Sequence, residues 1–370
     1  MKKLVLGAFA ALLTAASFCG CGRGEGSKTE ADTISLTGKV VIPDSLLRNP
    51  GGIIVGRDRI YISNGGAQID SMIDEFTLDG KFVRRMLAKG QGPGELPRMD
   101  GMYYDGTANR IGVKSPFAIG KVVMLDSLDS PKPVLKTIVA MPEHVVGSPE
   151  KSVFTAQFFR MANGALVGGN RTLDGLLSFY SPTGDFVRYE GEYPDSTTVG
   201  INMPAWALEN FFGMVISPTP DGRHFAATSK SGDIITFGTV QGDSISTVTL
   251  YGEPQEGIEA VNGDGWVSFG FNDKYRYFFP GGVRVSDSHA YTVVGGLVKD
   301  KDIEWQKMAE GEIPTANQIK VWDFDGNLVR VININVGRCL LAVSPDDTKL
   351  YALTESAENG YEVLEFDLPD

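Results

Sequence analysis

Six times along the chain a polar turn leads into a short apolar strand. The repeats read GRDRIYIS around Ile60, DGTANRIGV around Ile111, MANGALVGG around Leu166, PDGRHFAAT around Phe225, SDSHAYTVV around Tyr291 and SPDDTKLYAL around Leu350, at spacings of 51, 55, 59, 66 and 59 residues. An apolar run precedes each turn: Ile53-Ile54-Val55, Met102-Tyr103-Tyr104, Phe158-Phe159, Met214-Val215-Ile216, Val283-Arg284-Val285 and Leu340-Leu341-Ala342-Val343. Each unit therefore begins as strand, tight turn, strand.

A third strand follows in every unit: IDEFTLDG, KVVMLDS, LLSFYSPTG, DIITFGTVQGD, IKVWDFDG and EVLEFDLPD. Fourth strands KFVRRML, PVLKTIVAM, DFVRYEGEY, SISTVTLY and NLVRVININV follow the first five. Asp-Gly and Thr-Gly between alternating apolar residues supply the positive φ that hairpin turns require. The sixth unit stops at Asp370 without a fourth strand, while TISLTGKVVI, Thr33 to Ile42, is left over ahead of the first. Four-stranded repeats with an unmatched strand at each end describe an all-β, six-bladed β-propeller spanning 33–370. The N-terminal strand is expected to pair beside Glu362 to Leu368 in the C-terminal blade and close the ring. Two β-sandwiches of about 170 residues each are the alternative, but the middle of the chain holds no stretch resembling an interdomain linker.

The N-terminus reads as an address. Lys2 and Lys3 precede an apolar run from Leu4 to Phe18, too short for a membrane span, and then Cys19-Gly20-Cys21. This resembles a bacterial lipobox, with 1–20 as signal peptide and Cys21 as the acylated first residue; an ordinary cleaved signal is the alternative. Residues 21–32, rich in Gly, Ser, Glu and Lys, read as a flexible tether. No later stretch reaches the length of a span, so the membrane is met through lipid. Cys339 remains as a thiol inside an apolar strand, where a core role is expected.

Composition removes whole classes of function. The 370 residues carry 34 Lys+Arg against 46 Asp+Glu, a net charge of −12, and are 42% hydrophobic. That is enough apolar material for a core, and an acidic chain without a basic block is not built for nucleic acid. Three His and three Cys leave little for a zinc site or a disulfide framework. Gly90-x-Gly92-x-Gly94 has the wrong spacing for a dinucleotide loop, and Pro93 and Pro97 forbid an immediate helix; a crossover loop is expected. Gly265-Trp266-Val267-Ser268-Phe269-Gly270 misses the nucleophile-elbow spacing by one residue. Asp323-x-Asp325-Gly326 reads as a hairpin turn rather than a calcium loop.

The lipobox-like start, the leading strand, FTLDGKFVRRM and Gly90-Gln91-Gly92-Pro93-Gly94-Glu95-Leu96 together resemble the TolB-like six-bladed propeller lipoproteins of Gram-negative bacteria. The resemblance implies a cell-envelope protein that binds a partner through its funnel, and it transfers no particular site residue or cofactor. Gly22 lacks the Asp resembling an inner-membrane retention signal, which points to the outer membrane.

On a propeller, the loops from second to third strand and from fourth strand to the next blade share one face. Three long insertions fall there: Tyr193 to Phe212, Gly252 to Phe279 and Gly295 to Asn317. They carry Trp206, Trp266 and Trp305, with Phe271, Tyr275 and Tyr277, as candidate anchors for an envelope protein, peptide or glycan. The alternative is that these rings fill local cores. Ala205 to Phe212 and Asp300 to Glu310 have the spacing of small helical caps. A non-enzymatic binding protein without cofactor or metal is the leading expectation. A metal-dependent hydrolase or lyase in the funnel would need acids or His144, His224 and His289 to converge, whereas Asp70, Asp100, Asp174 and Asp273 are scattered along the chain.

Overall fold

The β-branched and aromatic runs of the six repeats become twisted antiparallel sheets. The computed structural model describes residues 31–118, 120–140, 158–172, 174–194, 208, 211–263, 266–272, 274–276, 278–279, 281–293, 318–334, 336, 339–356 and 360–369. The leader with Cys21 and nearly all of the tether lie outside these residues, as do Trp206, Trp305, Tyr277, His144, Asp273 and the segment 300–310.

Two short strands, β1 (Asp32–Leu36) and β2 (Lys39–Ile42), come first. Blade one is β3 (Pro50–Val55), β4 (Arg59–Asn64), β5 (Ser71–Thr77) and β6 (Phe82–Ala88). Blade two is β7 (Gly101–Asp105), β8 (Arg110–Lys114), β9 (Lys121–Asp126) and β10 (Val134–Ala140). Blade three is β11 (Phe158–Arg160), β12 (Leu166–Thr172), β13 (Gly175–Tyr180) and β14 (Phe186–Glu190). Blade four is β15 (Met214–Pro218), β16 (His224–Ser229), β17 (Ile234–Gln241) and β18 (Ser244–Tyr251). A separate hairpin, β19 (Ile258–Gly263) with β20 (Trp266–Phe271), precedes blade five. Blade five is β21 (Val283–Val285), β22 (Ala290–Val293), β23 (Gln318–Trp322) and β24 (Leu328–Ile334). Blade six takes β25 (Cys339–Val343), β26 (Lys349–Ser356) and β27 (Gly360–Asp367) from the end of the chain and β2 from its beginning.

The ring is held by apolar clusters between blades. One cluster joins blades one and two through Met72, Ile73, Ile111 and Leu125, and others join two to three, three to four, four to five and five to six. The cluster of Ile42, Ile53, Ile60, Phe76, Tyr351 and Val363 joins blade six back to blade one. A core distributed over six interfaces is how one domain of this length stays apolar inside without a single oversized centre. The marker residues of the six repeats, Ile60, Ile111, Leu166, Phe225, Tyr291 and Leu350, are all buried.

Closure is more divided than the sequence predicts. Only the second half of the leading segment pairs in the last blade, antiparallel, with Lys39 opposite Glu365, Val40 opposite Leu364 and Ile42 opposite Val363. The first half, β1, lies parallel to β24 as a fifth strand of blade five, with Thr33 opposite Val331 and Ile34 opposite Ile332. The reason is local. Thr37-Gly38 interrupts the strand, and Gly38 crosses so close to Phe366 that a Cβ would lie 2.7 Å from the ring. β1 then covers the outer edge of β24, which would otherwise offer unpaired backbone groups to another chain. Ile34 and Leu36 pack on the cluster between blades five and six.

The first-to-second-strand turns form a belt on the face opposite the long insertions. Ala162 donates its N–H to Gly222 O at 2.8 Å, Asp221 to Asp287 Oδ1 at 2.9 Å and Asp287 to Pro345 O at 3.0 Å. Gly106 N–H reaches Pro220 O at 2.8 Å, so blades two and four also touch here past blade three. The GQGPGEL segment is a crossover from blade one to blade two: Gly92 N–H is capped by the Glu95 carboxylate at 2.9 Å and Leu96 pairs with Lys89. Among the described residues, no helix is long and apolar enough to cross a membrane.

Candidate functional site

The first strands of the blades surround a cavity of about 460 Å³ on the ring axis. Ile53, Met102, Phe159, Ile216 and Val343 give it apolar walls. Its charged lining is lopsided: Lys114, Lys230 and Arg284 against one carboxylate, Asp100, among the described residues. In a chain of net charge −12, this small surface is cationic.

Lys114 ends β8, on the face of blade two turned toward blade three. Its register partner is Gly101, and Tyr103, two residues along β7, packs on Phe159 with ring centroids 4.9 Å apart. The ammonium therefore leaves an apolar interface and turns inward. It sits 4.8 Å from the centre of the Phe159 ring and donates to Ile216 O of blade four at 3.3 Å. Burial, with the nearby Arg284 charge adding to it, pulls its pKa down to about 7.

Arg284 is the middle residue of β21, between Val283 and Val285. Its Nε donates to Leu341 O of blade six at 2.8 Å and its Nη1 to Val283 O at 3.0 Å. Burial lowers its pKa as well. Among the described residues, neither Lys114 nor Arg284 forms an ion pair with a carboxylate; both lean on backbone carbonyls. Asp100 accepts from Arg98 Nε at 2.6 Å. Ser217 Oγ donates to Val283 O at 2.8 Å, tying the inner strands of blades four and five beside the cavity.

Among the described residues, the acids and histidines singled out in the sequence do not converge here: Asp100 lines the cavity and the others described do not. Asp70 is exposed and paired with Arg48 at 3.1 Å, and Asp174 is exposed on the loop between β12 and β13. His224 and His289 lie on the opposite face. His224 stacks on Phe324 with centroids 4.4 Å apart and meets Thr239 Oγ1 at 3.0 Å. His289 Nδ1 meets Asp347 Oδ2 at 2.6 Å, and Tyr291 OH donates to the other oxygen of the same carboxylate at 2.6 Å. These contacts brace blade five against blade six. Cys339 packs at the five–six interface, and burial pushes its thiol up to about 12, consistent with a core residue.

Of the aromatic set, Trp266 and Phe271 stand on β20, in a paired strand rather than an irregular loop, with Trp266 opposite Gly263 and Phe271 opposite Ile258. Tyr275 is 2% exposed, packed into the cluster between blades three and four, and its OH donates to Ser231 Oγ at 3.0 Å. Its ring is local core, which leaves it no surface for a partner. Lys114 and Arg284 were not site candidates in the sequence. Their signal is a cation set directly beside apolar residues of an inner or second strand, Lys114 after Val113 and Arg284 between Val283 and Val285.

The fold defines the protein as a closed six-bladed β-propeller with a cation-lined axial cavity. No protein-family model matches the chain, and no curated protein matches it. Among solved structures it is similar to a member of the DUF4221 family from Bacteroides vulgatus, with TM-score 0.50 and 10% identity over 90% of this chain and 97% of the other. It is also similar to a protein of Bacteroides fragilis assigned as exported, with TM-score 0.48 and 13% identity over 91% of this chain and all of the other. Likeness at such identity speaks for the fold alone.

Proposed function

We propose that the protein is a non-enzymatic cell-envelope lipoprotein of the TolB-like kind, anchored in the outer membrane through Cys21, whose propeller binds a ligand or partner at the axis of the ring. The observation that carries the binding half is the cavity of about 460 Å³, a size that suits a small ligand, lined by apolar side chains together with polar and cationic groups from several blades. The leader and the Gly20-Cys21 pair support the envelope half. In this reading Trp206, Trp266, Trp305, Phe271 and Tyr277 serve as anchors for a larger partner. Tyr275 serves only to seat that loop.

Two measurements test the halves separately. Cys21→Ser is expected to move the protein from the membrane to the soluble fraction with its β-sheet circular dichroism unchanged. An acyl label persisting in that variant would overturn the anchoring assignment. Native mass spectrometry of the protein purified from its own envelope is expected to show a non-covalent small-molecule adduct. A single unliganded mass, under conditions where added aromatic and aliphatic probes also fail to bind, would end the binding assignment.

A further inference from the structure

We propose that the axial cavity holds a small organic anion, a carboxylate or phosphate group on a compact apolar body, with the charged group gripped between Lys114 and Arg284; this rests on the cavity being the ligand seat.

The two cations come from distant parts of the chain and from opposite sides of the ring. Lys114 reaches in from blade two to the blade-four carbonyl of Ile216, and Arg284 reaches from blade five to the blade-six carbonyl of Leu341. Arg284 lies close enough to disfavour the charge on Lys114. Taking a cation from water into a protein interior is unfavourable unless a counter-charge or full hydrogen bonding compensates. Backbone carbonyls account for one of the three Lys114 donors and two of the five Arg284 donors among the described residues. Asp100 is engaged by Arg98.

Packing alone gives no reason for either charge. Methionine would span the same interfaces without desolvation cost, and the ring of Phe159 lies against the Lys114 ammonium. What an ammionium and a guanidinium facing one cavity can do is bind an oxyanion. The guanidinium offers a planar fork to two oxygens and the ammonium a point charge to one. The space far exceeds one inorganic oxyanion, and Ile53, Met102, Phe159 and Ile216 supply walls for an organic body.

The test uses the soluble Cys21→Ser chain and four probes that share one ring: benzoate, phenyl phosphate, benzyl alcohol and benzylamine. Isothermal titration in low-chloride buffer is expected to show binding of an anion, with the stronger of benzoate and phenyl phosphate naming the head group. Benzyl alcohol should bind at least tenfold more weakly, and benzylamine not at all. Lys114→Met and Arg284→Met should each weaken the anion about tenfold or more, the effect of deleting one charge-assisted hydrogen bond. Lys114→Arg should retain most of the affinity, and it remains informative if a methionine variant does not fold. Benzyl alcohol binding as tightly as benzoate would overturn the anion assignment and leave the cavity as a ligand seat. Anion binding indifferent to both methionine variants would place it elsewhere and overturn the proposal. Silence of all four probes would count against both the anion and the seat.

Discussion

Replacing Ile42 by Ala tests how the ring is shut. Ile42 is fully buried on β2, opposite Val363, in the cluster that joins the last blade to the first. The substitution removes three carbon atoms from that cluster. At about 0.8 kcal/mol for each buried methylene, transfer alone accounts for about 2.4 kcal/mol. The cavity left between strands fixed by their ladders raises the total to about 3–4 kcal/mol. Val40, two residues earlier on the same strand, is 51% exposed, and Val40→Ala should stay within about 0.5 kcal/mol. Urea unfolding followed by far-ultraviolet circular dichroism gives both values, with the denaturant slope as a check that the same surface is exposed in each variant. The contrast is what matters. If Ile42→Ala costs no more than Val40→Ala, β2 is not part of the blade and the ring is not closed through its N-terminus.

Other expectations can be checked in the same assay. Gly80 sits at φ +81° in the hairpin between β5 and β6, where a Cβ would lie 1.8 Å from Val41 O. Gly80→Ala should therefore destabilise by about 2 kcal/mol or more, and an unchanged midpoint would refute the packing of that turn on β2. The hydrogen bond to Asp347 holds the His289 pKa above its ordinary value. Its stabilisation is thus complete below about pH 6.5 and lost as pH rises through the raised folded-state value. The deficit of His289→Gln against the parent should be larger near about pH 5.5 than near about pH 9, and a reversed trend would refute the pairing. Lys114→Met should stabilise the ligand-free protein by about 1 kcal/mol, seen as a higher urea midpoint, because it removes a buried charge that lacks a counter-charge among the described residues; a clear loss of stability would mark Lys114 as a structural prop.

The fold was legible because its units repeat. Each marker from Ile60 to Leu350 enters the core of its blade, so the polar-turn-then-apolar pattern reports a packing requirement met six times over. The Asp-Gly and Thr-Gly turns took the positive φ expected of them, at +81° for Gly80, +94° for Gly184 and +87° for Gly326. The leading segment was harder. Its alternation is continuous through Thr37-Gly38, and only the Phe366 ring against Gly38 explains why the strand divides between two blades. The β19–β20 hairpin escaped notice because its strands lie inside a long insertion whose aromatics suggested a loop.

The site was nearly invisible for a different reason. Lys114 and Arg284 belong to different repeats, and each looks locally like a single cation in a short strand, Lys114 between Val113 and Ser115 and Arg284 between Val283 and Val285. Ring closure alone brings them to a common cavity. Tyr275 shows the converse, an aromatic whose loop setting suggested recognition but whose burial against Ser231 makes it core. Asp70 and Asp100 each found an arginine within hydrogen-bonding distance, Arg48 and Arg98 respectively, which a scan for convergent acids along the sequence does not reveal.

The central claim, that the ring axis is a seat for an organic anion, is tested most directly by crystals of the Cys21→Ser chain soaked with 4-iodobenzoate. The iodine locates the body by its anomalous signal and the carboxylate locates the charge. The account predicts an anomalous peak inside the axial cavity against the apolar walls, with carboxylate oxygens about 3 Å from Lys114 Nζ and the Arg284 guanidinium. A peak confined to the outer surface, or a carboxylate directed away from both cations, would contradict it.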